Sequence, residues 1–330
     1  MEKYVFSGSI RPFVHDKLMS LPDFEPLDVL VSQLDRREID LVIKYKQDGF
    51  CRWLFIDSGA FSIHTGNAHF PDKSIKEPTF RQWEDNYIEY LNSIDEYIDV
   101  FAQLDTIPGK FQQPKKPEDY VESAKKSWDN YLYMRSKLKS PEKLMPVFHY
   151  GESLDALKNM LEWRAEDGSK LDYIGISPAN DASQEEKDIY ISQCNDIIDK
   201  SSNPNVKTHL YGMTSLQSLA KNRCYSADSV SHRLQAAYSK ILSPTFGVIS
   251  TSMRVRKDNN KSGAAFGYFA SDEDFETVKG ELAKCGLTWE DVQESSDART
   301  SFNIWAVQQL TKGKYKYDDS KKVKKPKKLF

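Results

Sequence analysis

The chain has 330 residues, of which 39% are hydrophobic and 29% charged, and its formal net charge is −3. This composition is typical of a soluble globular protein, and the length suits one large α/β barrel or two smaller domains. No apolar run approaches the roughly 18 to 20 residues of a membrane span, and the N-terminus lacks the apolar core of a secretory signal. We therefore expect a cytoplasmic protein with no membrane partner.

Eight short apolar runs follow one another along the first 230 residues, separated by longer and more polar segments. Their apolar character is continuous rather than alternating, which is typical of parallel strands buried on both faces. The predicted strands are 4–9, 28–32, 54–58, 100–105, 145–150, 173–178, 207–212 and 224–229.

The segments between these strands begin like helices. Capping boxes start at Thr79, Ser183 and Thr214, and Pro117 opens a further helix. Apolar residues at spacings of three and four predict one buried face on the helix from Thr79 and one on the helix from Pro117. These faces are Phe80, Trp83, Tyr87, Leu91, Ile94 and Ile98, and then Tyr120, Val121, Ala124, Trp128 and Leu132.

Strand and helix alternating eight times predict a TIM-like (β/α)8 barrel of the α/β class over residues 1–243, with a doubly wound open sheet as the alternative. Residues 244–311 break this rhythm, with helical character returning at 272–285 and 303–310, and predict a barrel-capping appendage. Residues 312–330 hold nine lysines against two aspartates, a net charge of +7 that leaves −10 for the rest. Such a composition predicts a disordered basic tail with affinity for phosphates.

The four cysteines, Cys51, Cys194, Cys224 and Cys285, lie far apart, and none belongs to a CxxC motif. We expect four reduced and mostly buried thiols, because a zinc knuckle has no local support.

Polar residues stand where the predicted strands end, and in such barrels the chemistry lies at the C-terminal ends of the strands. Each aspartate could instead cap a turn, and each histidine could be a core residue. Three aspartates and two histidines converging on one end nevertheless predict an active site. The strand-end residues are Ser7, Ser9, Asp57, Ser58, Asp105, His149, Glu152, Ser177, Asn180, Asp181, His209, Asp228 and Ser229.

Two carboxylates at this end suit displacement at an anomeric carbon, in a base transglycosylase, a retaining glycosidase or a base-removing hydrolase. A metal-dependent hydrolase could use His149 and His209 with the aspartates, although the first strand lacks a histidine pair. A non-catalytic nucleic-acid-binding barrel is a further alternative, but such a protein need keep neither Asp57 nor Asp228.

The strand ends together resemble the tRNA-guanine transglycosylase superfamily over most of residues 4–235. That family has a D-S-G-G-F-Q strand end, and this chain has Asp57-Ser58-Gly59-Ala60-Phe61-Ser62. Asp105 in AQLD stands where the family's base-contacting aspartate lies, and Asp228 in YSADSVS stands where its nucleophile lies.

The chain also departs from this family. Ala60 and Ser62 replace a glycine and a glutamine, His149-Tyr150 replace the base-contacting glutamine, and Gly175-Ile176-Ser177 replace a Gly-Gly pair. The cysteine-rich zinc site that supports tRNA binding in the family is missing. The chain is therefore most similar to the zinc-less DNA deazapurine transglycosylases of bacteriophages and bacterial modification islands, with a tRNA (queuine or preQ1-type) enzyme as the alternative.

The resemblance implies a pentosyltransferase that exchanges guanine in DNA for a 7-deazaguanine such as preQ0, preQ1 or a relative, in a bacterium or a phage-infected cell. It makes Asp228 the nucleophile and Asp57 the proton acceptor and donor, and it requires no metal or organic cofactor. Whether the enzyme forms a homodimer is left open. The implied base-binding residues are Ser58, Asp105, His149, Gly175, Ser177 and His209, and the candidate phosphate contacts are Arg254, Arg256, Lys257, Lys321, Lys322, Lys324 and Lys325.

Overall fold

A computed structural model describes residues 1–110, 112–179, 182–213, 216–252, 266–268 and 270–313. Within these ranges the chain forms two compact units: residues 1–9 with 27–229, and residues 10–26 with the segment from Val230 onward. Thr214, the predicted residues Asn180 and Asp181, and nearly all of the predicted basic tail lie outside the described residues.

The first unit contains a parallel sheet of nine strands alternating with helices. The strands are β1 Lys3–Ser7, β2 Leu27–Ser32, β3 Cys51–Asp57, β4 Val100–Ala102, β5 Leu144–Met145, β6 Val147–His149, β7 Tyr173–Ser177, β8 Lys207–Leu210 and β9 Ser226–Ser229. Its helices are α2 Arg36–Gln47, α3 Ala60–His64, α4 Phe80–Ser93, α5 Pro117–Lys137, α6 Leu154–Glu162, α7 Gln184–Lys200 and α8 Leu216–Lys221. Each of the eight predicted strands is present, within a few residues.

The sheet nearly closes into a barrel because one chain segment belongs to both of its edges. The strand order is β5-β4-β3-β2-β1-β9-β8-β7-β6, and β5 and β6 are separated only by Pro146. Proline has no N–H for the ladder, so the segment divides there: β5 pairs with β4, and β6 pairs with β7. The predicted (β/α)8 barrel is confirmed, and the strand order is not that of a doubly wound sheet.

The barrel interior is filled by buried side chains from seven of the strands. Their contacts explain why the predicted runs are continuously apolar, since the alternate residues of each strand face the helices. The interior cluster is Val5, Leu30, Phe55, Val100, Ala102, Met145, Val147 and Tyr173.

Two of the predicted capping boxes are confirmed at the starts of α4 and α7. Thr79 and Gln82 exchange backbone-to-side-chain hydrogen bonds, as do Ser183 and Glu186. On α4 the predicted residues Trp83, Tyr87 and Leu91 are buried, whereas Phe80 is 37% exposed.

The predicted buried face of α5 is wrong at Val121 and Leu132, whereas Tyr120, Ala124 and Trp128 are partly buried. Val121 is 68% exposed and Leu132 is 38% exposed, and the buried residues of this helix are instead Ser123, Ser127, Asn130, Tyr131 and Met134. The small polar residues are buried because they hold the loop after β4. Ser123 donates to the carbonyl oxygen of Thr106, Ser127 Oγ accepts from Thr106 N at 2.9 Å, and Asn130 Nδ2 donates to Leu104 O at 3.3 Å. Helix α5 thereby fixes the residues on both sides of Asp105.

The second unit comprises α1 Pro12–Met19, α9 Ser231–Ala237, the hairpin β10 Lys240–Ser243 with β11 Gly247–Ser250, α10 Asp272–Lys284, α11 Trp289–Glu294 and α12 Ser296–Thr311. Asn303 of α12 ties α9 to the hairpin: its Nδ2 donates to His232 O at 2.9 Å, and its Oδ1 accepts from Leu242 N at 2.7 Å. Gln308 Nε2 donates to Glu25 O at 2.8 Å and ties in the segment 10–26. The longer segment of this unit begins at Val230, whereas the sequence predicts a boundary at residue 243.

All four cysteines are buried and unbridged, as predicted. Burial raises the pKa of the Cys51 and Cys194 thiols to about 12. In the part of the chain that the structure describes, no helix is long and apolar enough to cross a membrane.

The burial of polar residues on α5 can be tested by measuring stability. Asn130→Ala removes a buried donor and leaves the carbonyl of Leu104 without that partner, so we expect the free energy of unfolding to fall by about 1 to 3 kcal/mol. The control Val121→Ala changes an exposed side chain and should alter it by less than about 0.5 kcal/mol. Urea unfolding of both variants measures the difference, and a larger loss for Val121→Ala would contradict the packing described for α5.

Candidate active site

Three aspartates lie at the C-terminal ends of barrel strands. Asp57 is the last residue of β3, Asp228 lies within the last strand, β9, and Asp105 follows β4 by three residues. Their charges interact: both Asp105 and Asp228 act on the carboxylate of Asp57. The structure therefore brings together the three carboxylates that the sequence predicts, which we call the aspartate cluster.

The turn after β3 explains the sequence Asp57-Ser58-Gly59. Gly59 adopts a left-handed conformation with φ of 69°, and a Cβ at this position would lie 2.6 Å from Leu34 Cδ1. In this turn Gly59 N donates to Asp57 Oδ2 at 3.0 Å, and Ala60 N donates to Ser58 Oγ at 3.3 Å. Glycine is required here for both its conformation and its lack of a side chain, and the turn aims the Asp57 carboxylate.

Asp57 carries the most informative electrostatic shift of the cluster. Loss of solvation raises its pKa, and the charges of Asp105 and Asp228 raise it further, to about 7, against the lowering effect of the N–H groups of Gly59 and Ser58. Asp57 as a whole residue remains partly exposed. A carboxyl group with a pKa near neutrality can both donate and accept a proton at the pH of a cell.

Asp105 is buried and has two side-chain partners. Ser58 Oγ donates to Asp105 Oδ1 at 3.3 Å, and His149 Nε2 lies 2.7 Å from Asp105 Oδ2. The other ring nitrogen of His149, Nδ1, lies 3.1 Å from Glu152 Oε1. Burial lowers the pKa of His149, but the two carboxylates outweigh burial and raise it to about 10.

Asp228 contacts one residue of β8, His209, and the second residue after that strand, Gly212. Gly212 N donates to Asp228 Oδ1 at 2.9 Å, and His209 Nε2 lies 3.3 Å from the same oxygen. Behind it, His209 Nδ1 is 2.6 Å from Ser226 Oγ, which is hydrogen bonded to the hydroxyl of Tyr173. Among the described residues, no hydrogen bond engages Asp228 Oδ2.

The other predicted base-binding residues fall into different positions. His209 is fully buried behind Asp228. Gly175 makes room for an aromatic ring, because a Cβ there would lie 2.8 Å from Tyr211 Cε2. Ser177 is partly exposed at the end of β7, beside His149 in the neighbouring strand.

The predicted phosphate contacts Arg254, Arg256, Lys257, Lys321, Lys322, Lys324 and Lys325 lie outside the described residues.

Several polar atoms at the strand ends are buried and have no described partner. They are Gln103 Nε2 and Oε1, Glu152 Oε2 and Tyr211 Oη, and His209 Nε2 also makes no hydrogen bond of good geometry. Buried polar groups are normally satisfied, so these atoms near the aspartates are candidates for hydrogen bonds to a bound base. Neither Gln103 nor Tyr211 was predicted from the sequence; a polar residue directly after a buried run was the available signal.

Among the described residues, no group of three or more His, Cys, Asp and Glu side chains is arranged to hold a metal ion. No protein-family model and no curated protein sequence matches this chain. What the site does is therefore inferred from its own geometry and charges.

The raised pKa of Asp57 predicts a pH-dependent stability. Between about pH 4 and pH 7 the folded protein keeps a proton that the unfolded chain has lost, so wild-type stability falls as the pH rises through this range. Asp57→Asn cannot ionise and should gain on the order of 2 kcal/mol relative to wild type between about pH 5 and pH 8.

Urea unfolding at both pH values measures this gain. Glu276→Gln, an exposed carboxylate of α10, is the control and should show almost no such difference. An equal stability change at both pH values would show that Asp57 titrates normally.

Proposed function

We propose that this barrel is a nucleic-acid base transglycosylase, a pentosyltransferase that exchanges guanine in DNA for a 7-deazaguanine. The observation that carries this proposal is the pair Asp57 and Asp228 at one barrel end. One carboxyl group is tuned to hold or release a proton near neutral pH, and the other is anchored through a single oxygen. Such a pair suits displacement at an anomeric carbon through a covalent intermediate.

In the first half of the reaction, an oxygen of Asp228 attacks C1′ of a 2′-deoxyguanosine unit and the bond from C1′ to guanine N9 breaks. The electrons of that bond go to guanine, and protonated Asp57 supplies the proton with which neutral guanine departs. An ester between Asp228 and the sugar remains. The N–H of Gly212 donates to Asp228 Oδ1, and His209 Nε2 lies 3.3 Å from the same oxygen, which leaves Oδ2 as the attacking atom.

In the second half, the incoming 7-deazaguanine gives its N9 proton to ionised Asp57. Its N9 then attacks C1′, the bond from C1′ to Asp228 breaks, and both aspartates return to their starting states. The exchange consumes no net proton or electron, so its chemistry calls for no metal or organic cofactor. Asp105 would accept hydrogen bonds from the N1–H and 2-amino group that guanine and its 7-deaza analogues share.

DNA is favoured over tRNA as the partner because the chain has too few cysteines beyond β9 for the family's zinc site. In the transglycosylase family that the chain resembles, a cysteine-rich zinc site beyond the last strand supports tRNA binding. This chain has one cysteine there, Cys285, and its thiol is buried. The target base must leave the helical stack, because C1′ and the base edge are not accessible together within a duplex. Such an enzyme would work in the cytoplasm of a bacterium or of a phage-infected cell.

A base-exchange assay with labelled guanine or a labelled 7-deazaguanine, offered DNA and tRNA in parallel, tests the proposal. We expect label to enter DNA. Asp228→Asn should lose at least about 1,000-fold in rate because it lacks the nucleophile, and Asp57→Asn about 100- to 10,000-fold because it cannot move the proton.

The control Asp199→Asn alters an exposed carboxylate on α7, paired with Arg223, and should keep wild-type activity. Incorporation into tRNA alone would overturn the choice of DNA. Release of free guanine without incorporation of a new base would identify a base-removing hydrolase that uses the same aspartates.

A further inference from the structure

His149 lies between two carboxylates and has no ring nitrogen to spare. Its Nε2 is 2.7 Å from Asp105 Oδ2, its Nδ1 is 3.1 Å from Glu152 Oε1, and all three side chains are at least seven-eighths buried. An ionised carboxylate can accept hydrogen bonds but cannot donate them. A histidine that bonds to two such carboxylates must therefore donate from both ring nitrogens, and only the imidazolium form can do so. His149 therefore has no donor left for a bound base.

The turn after β6 places Glu152 against this ring. Gly151 has φ of 91°, and a Cβ there would lie 2.3 Å from Tyr120 Cε1, so Tyr120 packs directly over the backbone of the turn. Glu152 N donates to His149 O at 3.2 Å and closes the turn. The Glu152 side chain is 1% exposed, and its Oε2 has no described partner. A glutamate buried to this extent costs stability unless it is paired or has a role.

We propose that Glu152 is a positioning residue, which holds the His149 imidazolium against Asp105 and thereby presents Asp105 as an acceptor for a flat edge with two N–H donors. The recognition part of this inference rests on the proposed function. Asp105 Oδ1 already receives Ser58 and Oδ2 receives His149, which leaves one acceptor position on each oxygen. The N1–H and 2-amino group of a guanine-type base match these two positions, whereas hypoxanthine lacks one donor and adenine presents an acceptor.

Other titratable groups lie near Asp105, His149 and Glu152. Tyr190 of α7 interacts with Glu152, and Asp57, Tyr87 and Tyr211 lie close enough to Asp105 to interact with its charge. Burial and desolvation raise the pKa of all three tyrosines, so they stay neutral over the working pH range. Among the described residues, Asp105 and Glu152 are the carboxylates that contact His149, one on each ring nitrogen, and Asp57 interacts with Asp105.

Loss of the Glu152 charge should therefore be visible at His149. In Glu152→Gln a buried imidazolium keeps only Asp105, and we expect its pKa to fall by at least about one unit below that of wild type, which is about 10. The measurement is a 15N spectrum of histidine-labelled protein from about pH 6 to pH 11. Among the six histidines of the chain, the His149 signal is assigned by its loss in His149→Gln.

Two further variants make the result specific. Glu84→Gln changes a buried carboxylate of α4 that is paired with Arg81, and it should leave the His149 titration unchanged. Glu152→Asp keeps the charge on a shorter side chain and should lower the pKa of His149 by less than Glu152→Gln does, and it serves if Glu152→Gln does not fold. An unchanged titration of His149 in whichever of these two variants folds would overturn the positioning role.

Base exchange supplies the second readout. Glu152→Gln should raise the KM for the incoming base about 10- to 100-fold, with a smaller effect on kcat. As the pH rises, its activity should begin to fall at a lower pH than that of wild type, because His149 loses its proton earlier. The preference for guanine over hypoxanthine should shrink in the same variant, and an unchanged preference would overturn the recognition role. The 15N titration needs no activity, so an inactive protein would refute the transglycosylase proposal while the positioning role of Glu152 is still decided by the titration.

Discussion

Mutual repulsion among carboxylates is the constraint on which the site depends. Asp57, Asp105, Asp228 and Glu152 all lie at or just beyond the C-terminal ends of barrel strands, where burial strengthens the repulsion between like charges. Each receives a fixed partner from the backbone or from an imidazole: Gly59 N, His149, Gly212 N and again His149. These partners come from three different strand ends, those of β3, β6 and β8, so the arrangement requires the closed barrel.

The barrel meets this requirement through residues that have little chemistry of their own. Pro146 separates β5, which pairs with β4, from β6, which pairs with β7, so the segment 144–149 connects the two edges of the sheet. Gly175 admits the ring of Tyr211, and the polar face of α5 grips the backbone on both sides of Asp105. A change at any of these positions would move a carboxylate relative to its partner, and the energy of a charge pair depends steeply on that geometry.

The three aspartates of the cluster lie in different local environments, and this difference gives each carboxyl group a different chemical role. Asp57 is left with backbone donors and like-charged neighbours, and its pKa rises to about 7. Asp105 is paired with His149, whose pKa the neighbouring carboxylates raise to about 10, and Asp228 is oriented through one oxygen. Carboxyl groups in separate environments can divide the roles of proton carrier, base acceptor and nucleophile, and this division is the physical basis of the proposed exchange reaction.

The sequence by itself determined the strands, the caps and the positions of the aspartates. Eight continuous apolar runs, the capping boxes at Thr79 and Ser183, and the Asp57-Ser58-Gly59 turn are local patterns, because backbone conformation and burial depend on residues close together in the chain. Only the tertiary structure decided which face of α5 is buried and that His149 is shared by Asp105 and Glu152. It also decided that residues 10–26 join the segment from Val230 onward in a second unit, and that the pKa of Asp57 is raised to about 7. Those features depend on which distant segments meet, and neither spacing nor composition encodes the distance between two strand ends.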